Sequence, residues 1–190
     1  MKTTRTLTGW LFLMMLSSAT ALAQTPAFKV CKSTYALCTT ATCSAIAGSS
    51  TEVSCACDVK TGYSLGAQEC TNATEAAPGD SIASRYFPIK SFVACSNDRQ
   101  WANCLDAPCT LAAGAAAGNA NCTCTLAHGS APYVITTNKY TAETCTSGII
   151  SSATVDSVLD VTQFLETSNE LQPFDFKVLN VQRRAGKLAK

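Results

Sequence analysis

Histidine is nearly missing from this 190-residue chain: His128 is the only one, and no two cysteines have the C-x2-C spacing of common zinc sites. A metal centre built from those ligands is therefore not expected, and no cofactor is expected. Charged residues make up only 14% of the chain, and they form no basic stripe of the kind nucleic-acid surfaces use. Beyond the N-terminal segment no apolar run approaches the roughly 20 residues of a membrane-spanning helix. Alternating βαβ patterning is missing too, which counts against a doubly wound enzyme domain.

The chain does contain an export-type start. Lys2 and Arg5 precede an unbroken apolar run from Trp10 to Leu16, and Ala21-Leu22-Ala23 supplies an A-x-A exit, so residues 1–23 read as a secretory signal peptide cleaved before Gln24. Losing Lys2 and Arg5 leaves 12 Lys and Arg against 13 Asp and Glu, a net charge of −1 that favours no polyanionic or polycationic partner. The tail from Arg183 to Lys190 is locally basic and reads as solvated.

All 12 cysteines lie between Cys31 and Cys145, an even number in a chain that carries an export signal, so six disulfides are expected. Their spacing occurs twice: Cys31-x6-Cys38-x4-Cys43-x11-Cys55-x-Cys57-x12-Cys70, then Cys95-x8-Cys104-x4-Cys109-x12-Cys122-x-Cys124-x20-Cys145. Intervening residues match as well. Phe28 stands three before Cys31 as Phe92 does before Cys95, and Tyr35-Ala matches Trp101-Ala. These agreements predict two tandem six-cysteine repeats. Neither C-x-C pair should bridge internally, because one intervening residue gives poor disulfide geometry.

Between Cys57 and Cys70 lies Gly62-Tyr63-Ser64-Leu65-Gly66, which matches the G-x-S-x-G nucleophile elbow. Ser64, Asp98 or Asp106, and His128 even follow the order Ser, Asp, His. Only 40 residues, from Gln24 to Tyr63, precede Ser64 after the expected cleavage and they hold five cysteines, too little chain for the central sheet that an elbow requires. The motif reads instead as a disulfide-stapled loop, with glycines for tight turns and the Tyr63 ring over a neighbouring disulfide. The order C, C-x4-C, C-x-C, G-Y, C across 31–70, and more loosely 95–145, resembles that of epidermal-growth-factor-like modules. That resemblance implies pairings Cys31–Cys43, Cys38–Cys55 and Cys57–Cys70, and likewise in the second unit.

The remaining segments complete a small disulfide-rich, mainly β fold with long loops, followed by a C-terminal amphipathic helix and strand. Thr71–Ser84, with Pro78-Gly79-Asp80, reads as a linker; Arg85–Ala94 as a strand with Pro88 at an edge or bulge; Tyr133–Thr137 as a strand; and Cys109–Cys122 as a flexible loop. Val155, Val158, Leu159, Val161, Phe164 and Leu165 recur at helical spacing, and 173–181 alternates as a strand should. The expected organisation is thus signal 1–23, first repeat 24–70, linker and strand 71–91, second repeat 92–145, and C-terminal region 146–190.

The function class this favours is a secreted or periplasmic, non-enzymatic binding protein for a protein or other extracytoplasmic ligand. The alternatives are a small serine hydrolase using Ser64 and an enzyme inhibitor. The binding tip is expected at Asp98, Arg99, Trp101 and Asp106, where the second unit alone has charges and a tryptophan on a cysteine-pinned loop.

Overall fold

The computed structural model describes residues 28–70, 76–86, 91–113, 118–129, 132–137, 139–168 and 177–178. The expected signal segment, Pro88 and the basic tail lie outside these residues. Eleven strands run in chain order: β1 Lys29–Leu37, β2 Thr42–Ala45, β3 Glu52–Gly66, β4 Ser81–Ala83, β5 Ser91–Cys95, β6 Trp101–Asn103, β7 Pro108–Leu111, β8 Asn119–Ala127, β9 Tyr133–Thr136, β10 Ile149–Thr154 and β11 Lys177–Val178. The helix α1, Val155–Thr167, lies between the last two strands. The sheet order is β11-β5-β9-β10-β2-β3-β8-β7-β4, with β1 also on β3, and β6 paired with β10 and β8. The protein is a disulfide-rich, mainly β fold.

The C-x-C pairs explain the centre. Side chains alternate across a strand, so one intervening residue puts both cysteines on the same face. On β3, Val53, Cys55 and Cys57 are buried while Glu52, Ala56 and Asp58 face out; on β8, Ala120, Cys122 and Cys124 are buried while Asn121, Thr123 and Thr125 face out. The two strands pair with Cys55 opposite Cys122, Cys57 opposite Ala120 and Val53 opposite Cys124. That register is unchanged when the strands are interchanged, so a local two-fold axis passes between Cys55 and Cys122. Cys43 stands opposite Cys55 on β2, and Cys109 opposite Cys122 on β7, giving a row of four cysteines across four strands.

All six bridges form, nested in both sets: Cys31–Cys70, Cys38–Cys57 and Cys43–Cys55, then Cys95–Cys145, Cys104–Cys124 and Cys109–Cys122. This corrects the pairing implied by the growth-factor-like resemblance. The physical reason is β3 itself: it runs antiparallel to both β1 and β2, so the cysteines before it meet those on or after it in reverse order. Four of the bridges touch at the two-fold axis, where Cys38 Sγ lies 3.5 Å from Cys122 Sγ and Cys104 Sγ 3.5 Å from Cys55 Sγ.

The segment after each cysteine set docks on the other set. β4 follows Cys70 yet pairs with β7, and β10 follows Cys145 yet pairs with β2. Matching backbone bonds hold the two crossings: Ser84 N–H donates to Ala107 O, and Ser151 N–H to Ala41 O, each at 2.9 Å. The linker reading therefore ends at Asp80; Ser81–Ala83 is a strand because Ile82 is drawn into the core beside the central cysteines. Of the expected strand over 85–94, Tyr86 forms an isolated bridge to Leu65 and Ser91–Cys95 is β5, while residues 87–90 lie outside the described residues. The expected loop Cys109–Cys122 is strand at both ends, and residues 114–117 lie outside the described residues. Its ends belong to β7 and β8, closed by Ala112 N–H donating to Asn119 O, because alternate residues Cys109, Leu111, Ala120 and Cys122 all point inward.

Helix α1 forms where its periodicity predicts. Thr154 caps it, its side chain accepting from Ser157 N–H. Val158, Thr162 and Leu165 are buried, whereas Leu159 is 55% exposed, so the buried stripe is narrower than the apolar spacing suggested. Leu165 joins Phe28 and Leu65 in one cluster, and the Phe164 ring meets Phe28 edge-on at 5.8 Å. Of the expected strand over 173–181, Lys177–Val178 pairs in parallel with Ser91 and Phe92; the rest lies outside the described residues.

Candidate functional site

The GYSLG motif is the end of a long strand and not a loop. Ser64 sits on β3 opposite Cys31 and is 0% exposed, and its hydroxyl oxygen accepts from Arg85 Nε at 3.0 Å. Arg85, read in the sequence only as the start of a strand, is 3% exposed. Its guanidinium also donates to Lys29 O at 2.9 Å, to Gln68 O at 3.4 Å, and to Asp106 Oδ1 at 3.3 Å. Asp106, whose φ is 55°, turns its second carboxylate oxygen to the backbone N–H groups of Ala67 and Gln68 at 2.7 and 3.2 Å. Burial lowers the Arg85 pKa, an effect the Asp106 charge opposes.

Gly66 makes this arrangement possible. A Cβ there would fall 2.3 Å from Asp106 Oδ1 and 2.6 Å from Arg85 Nη1. The second glycine of the motif thus serves a close approach by a buried ion pair. Tyr63, expected over a disulfide, is 44% exposed, and the contact its ring makes is with Lys32 Nζ, 5.5 Å from the centroid. His128 is exposed just beyond β8, next to the end that pairs Thr125 with Glu52. Ser64 stands twelve residues further along β3, roughly 40 Å of extended strand at about 3.3 Å per residue. The structure does not bring Ser64, His128 and Asp98 together, and Asp106 reaches Ser64 only through Arg85.

The four residues of the expected binding tip separate into two environments. Trp101 is buried and stacks on Tyr133, with centroids 6.0 Å apart and planes 14° from parallel, and Asp106 is engaged by Arg85. Asp98 and Arg99 are exposed and, with Gln100, Gly148 and Ile149, line an open depression of about 380 Å³. Asn97 holds their loop: its amide donates to Cys145 O at 3.0 Å, and its carbonyl accepts from Arg99 N–H at 3.2 Å and from Tyr133 Oη at 2.9 Å. Burial raises the Tyr133 pKa, while the bond to Asn97 and the Arg99 charge pull it back. Asn97, Gly148 and Ile149 were not singled out in the sequence. Gly148 and Ile149 reach the loop only because β10 pairs with β6.

Among the described residues, the groups close enough to hold a metal ion consist of cysteine sulfurs already joined in disulfides. No helix of the described residues is long and apolar enough to cross a membrane. Six disulfides fit an oxidising compartment. Comparison with known protein families, with curated proteins and with solved structures finds no match.

Proposed function

We propose that this is an exported, non-enzymatic binding protein, secreted or periplasmic, built from a duplicated six-cysteine unit and presenting the Asp98–Gln100 loop to an extracytoplasmic partner. The carrying observation is that Asp98 and Arg99 are exposed beside an open depression on a loop fixed by Asn97 and by the Cys95–Cys145 bridge. A pre-ordered loop loses little entropy on association, and arginine is a frequent anchor of such contacts. The duplication rests on the doubled cysteine spacing and is supported by equal registers, such as Tyr35 opposite Lys60 and Trp101 opposite Ala127. A hydrolase using Ser64 has less support, since that hydroxyl is buried under Arg85 and has no histidine beside it.

The test is capture from the native exported fraction with immobilised protein, comparing wild type with Arg99→Ala and Asp98→Ala. A partner retained by wild type and lost by both variants, with their melting transitions unchanged, supports the reading. Equal retention by the variants, or labelling of Ser64 by a serine-directed phosphonate, overturns it.

A further inference from the structure

Every bridge stays within its own cysteine set, yet two sulfur contacts join the sets. Cys38 Sγ lies 3.5 Å from Cys122 Sγ, and Cys104 Sγ lies 3.5 Å from Cys55 Sγ. These contacts are mates under the local two-fold, since Cys38 and Cys104 hold equivalent places in the two sets, as do Cys55 and Cys122. The sulfurs of Cys43, Cys55 and Cys104 all lie within 4.8 Å of one another. Disulfides exchange when a thiolate attacks a disulfide sulfur, and a separation of about 3–3.5 Å is that of a near-attack arrangement. A single opened bridge would therefore place a thiol against a bridge of the other set.

Access to the centre is unequal. Among the cysteines of the four central bridges Cys43 alone is half-buried, whereas its counterpart Cys109 is 2% exposed. The crossing strands account for the difference. Ile82 of β4 stands opposite Cys109 and is 4% exposed, while Ile149 of β10 stands opposite Cys43, is half-buried and lines the open depression beside Asp98–Gln100.

We propose that the central bridges form a redox-sensitive switch, in which opening Cys43–Cys55 moves a disulfide across the two-fold to Cys55–Cys104. One thiolate of an external dithiol attacks Cys43 Sγ, the Cys43–Cys55 bond breaks, and Cys55 leaves as a thiolate. Cys55 then attacks Cys104 Sγ, forming Cys55–Cys104 and releasing Cys124. The second thiol of the dithiol attacks its own sulfur in the mixed disulfide, releases Cys43 and completes the oxidised dithiol. In sum the dithiol loses two electrons and two protons, and two bridges of the protein become one bridge plus thiols at Cys43 and Cys124. The two cysteine sets are then covalently joined at their centre. This switch does not depend on the reading given for the Asp98–Gln100 loop.

The test is non-reducing peptide mapping of the oxidised full chain after incubation at about pH 8.5, the ordinary thiol pKa, with acid quenching and alkylation. Cys43→Ser leaves Cys55 unpaired from the start and should yield Cys55–Cys104, with alkylation at Cys124. Cys109→Ser frees Cys122 beside Cys38 and should yield Cys38–Cys122, with alkylation at Cys57; it keeps the test decisive should the first variant fail to fold. Cys70→Ser frees Cys31, which lies outside the central cluster, and should keep the other five bridges as they are. Wild type in rising dithiothreitol should show Cys55–Cys104 once Cys31–Cys70 has opened. Unchanged partner bridges beside an alkylated Cys55 or Cys122, absence of Cys55–Cys104 from the partly reduced wild type, or the same exchanged bridges in Cys70→Ser would overturn the switch.

Discussion

At the residue scale the most informative contact is the one between Arg85 and Asp106, because it converts a nucleophile-like motif into a structural one. Gly66→Ala should cost about 1–3 kcal/mol by overpacking, measured as a fall in the urea midpoint with unchanged slope. Ser64→Ala strands a buried guanidinium N–H, and a loss of about 1–3 kcal/mol is expected, which a catalytic reading would not predict. Arg85→Met leaves the Asp106 charge buried without its cation, an expected loss of about 3–5 kcal/mol that Asp106→Asn added to it should partly reverse. Tyr86 gives a pH test. Its pKa is strongly raised by burial and, secondarily, by the Asp106 charge. The folded state then keeps a proton that the unfolded chain releases near pH 10, so stability is full below that pH and declines above it by about 1.4 kcal/mol per pH unit for each such tyrosine. Burial raises Tyr35 and Tyr133 in the same direction. Rapid urea titrations between pH 9 and 11 should show this slope, reduced in Tyr86→Phe; an unchanged slope in that variant would exclude Tyr86 as a source.

At the element scale, the two C-x-C strands and the helix differ in how far local pattern decided them. The strands β3 and β8 follow from period-two burial of Val53, Cys55 and Cys57, and of Ala120, Cys122 and Cys124, and the helix from its spacing and its Thr154 cap. Thr154→Ala should cost about 1 kcal/mol, seen as a lower melting temperature with the fold retained. Other elements depended on distant partners. Ser81–Ala83 carries no strong strand signal and is a strand only because β7 offers its edge. Trp101 looked like a binding anchor, yet it stacks on Tyr133 from 32 positions later in the chain. Leu159 has helical periodicity but faces solvent, since α1 meets Phe28 and Leu65 on the side of Val161 and Leu165.

For the whole molecule, the reciprocal crossing of β4 and β10 makes one cooperative unit from two cysteine sets. Residues 24–90 and 91–190 expressed apart should therefore remain poorly dispersed in amide spectra, and mixing them under oxidising conditions should recover native dispersion. Two independently folded fragments would show that the crossing is dispensable. The central bridges are buried, whereas Cys70 is exposed, so limited reduction should open Cys31–Cys70 before the central pairs. Full reduction should abolish the melting transition, because each bridge over a loop of about 15 residues contributes about 3 kcal/mol, less when several share a chain, against a total of about 5–15 kcal/mol.

The sequence by itself determined the mainly β, disulfide-rich class, the number of bridges, the exclusion of bridges within C-x-C, and the helix. All of these rest on local spacing or on counting. The pairing of the cysteines, the burial of Ser64 and the separation of Trp101 and Asp106 from Asp98 and Arg99 were decided only by tertiary structure. Each depends on which strands lie side by side, and β3 could choose its neighbours only when residues as distant as Thr125, 73 positions from its partner Glu52, had docked on it. A spacing pattern records which face a residue presents; it does not record which strand that face will meet.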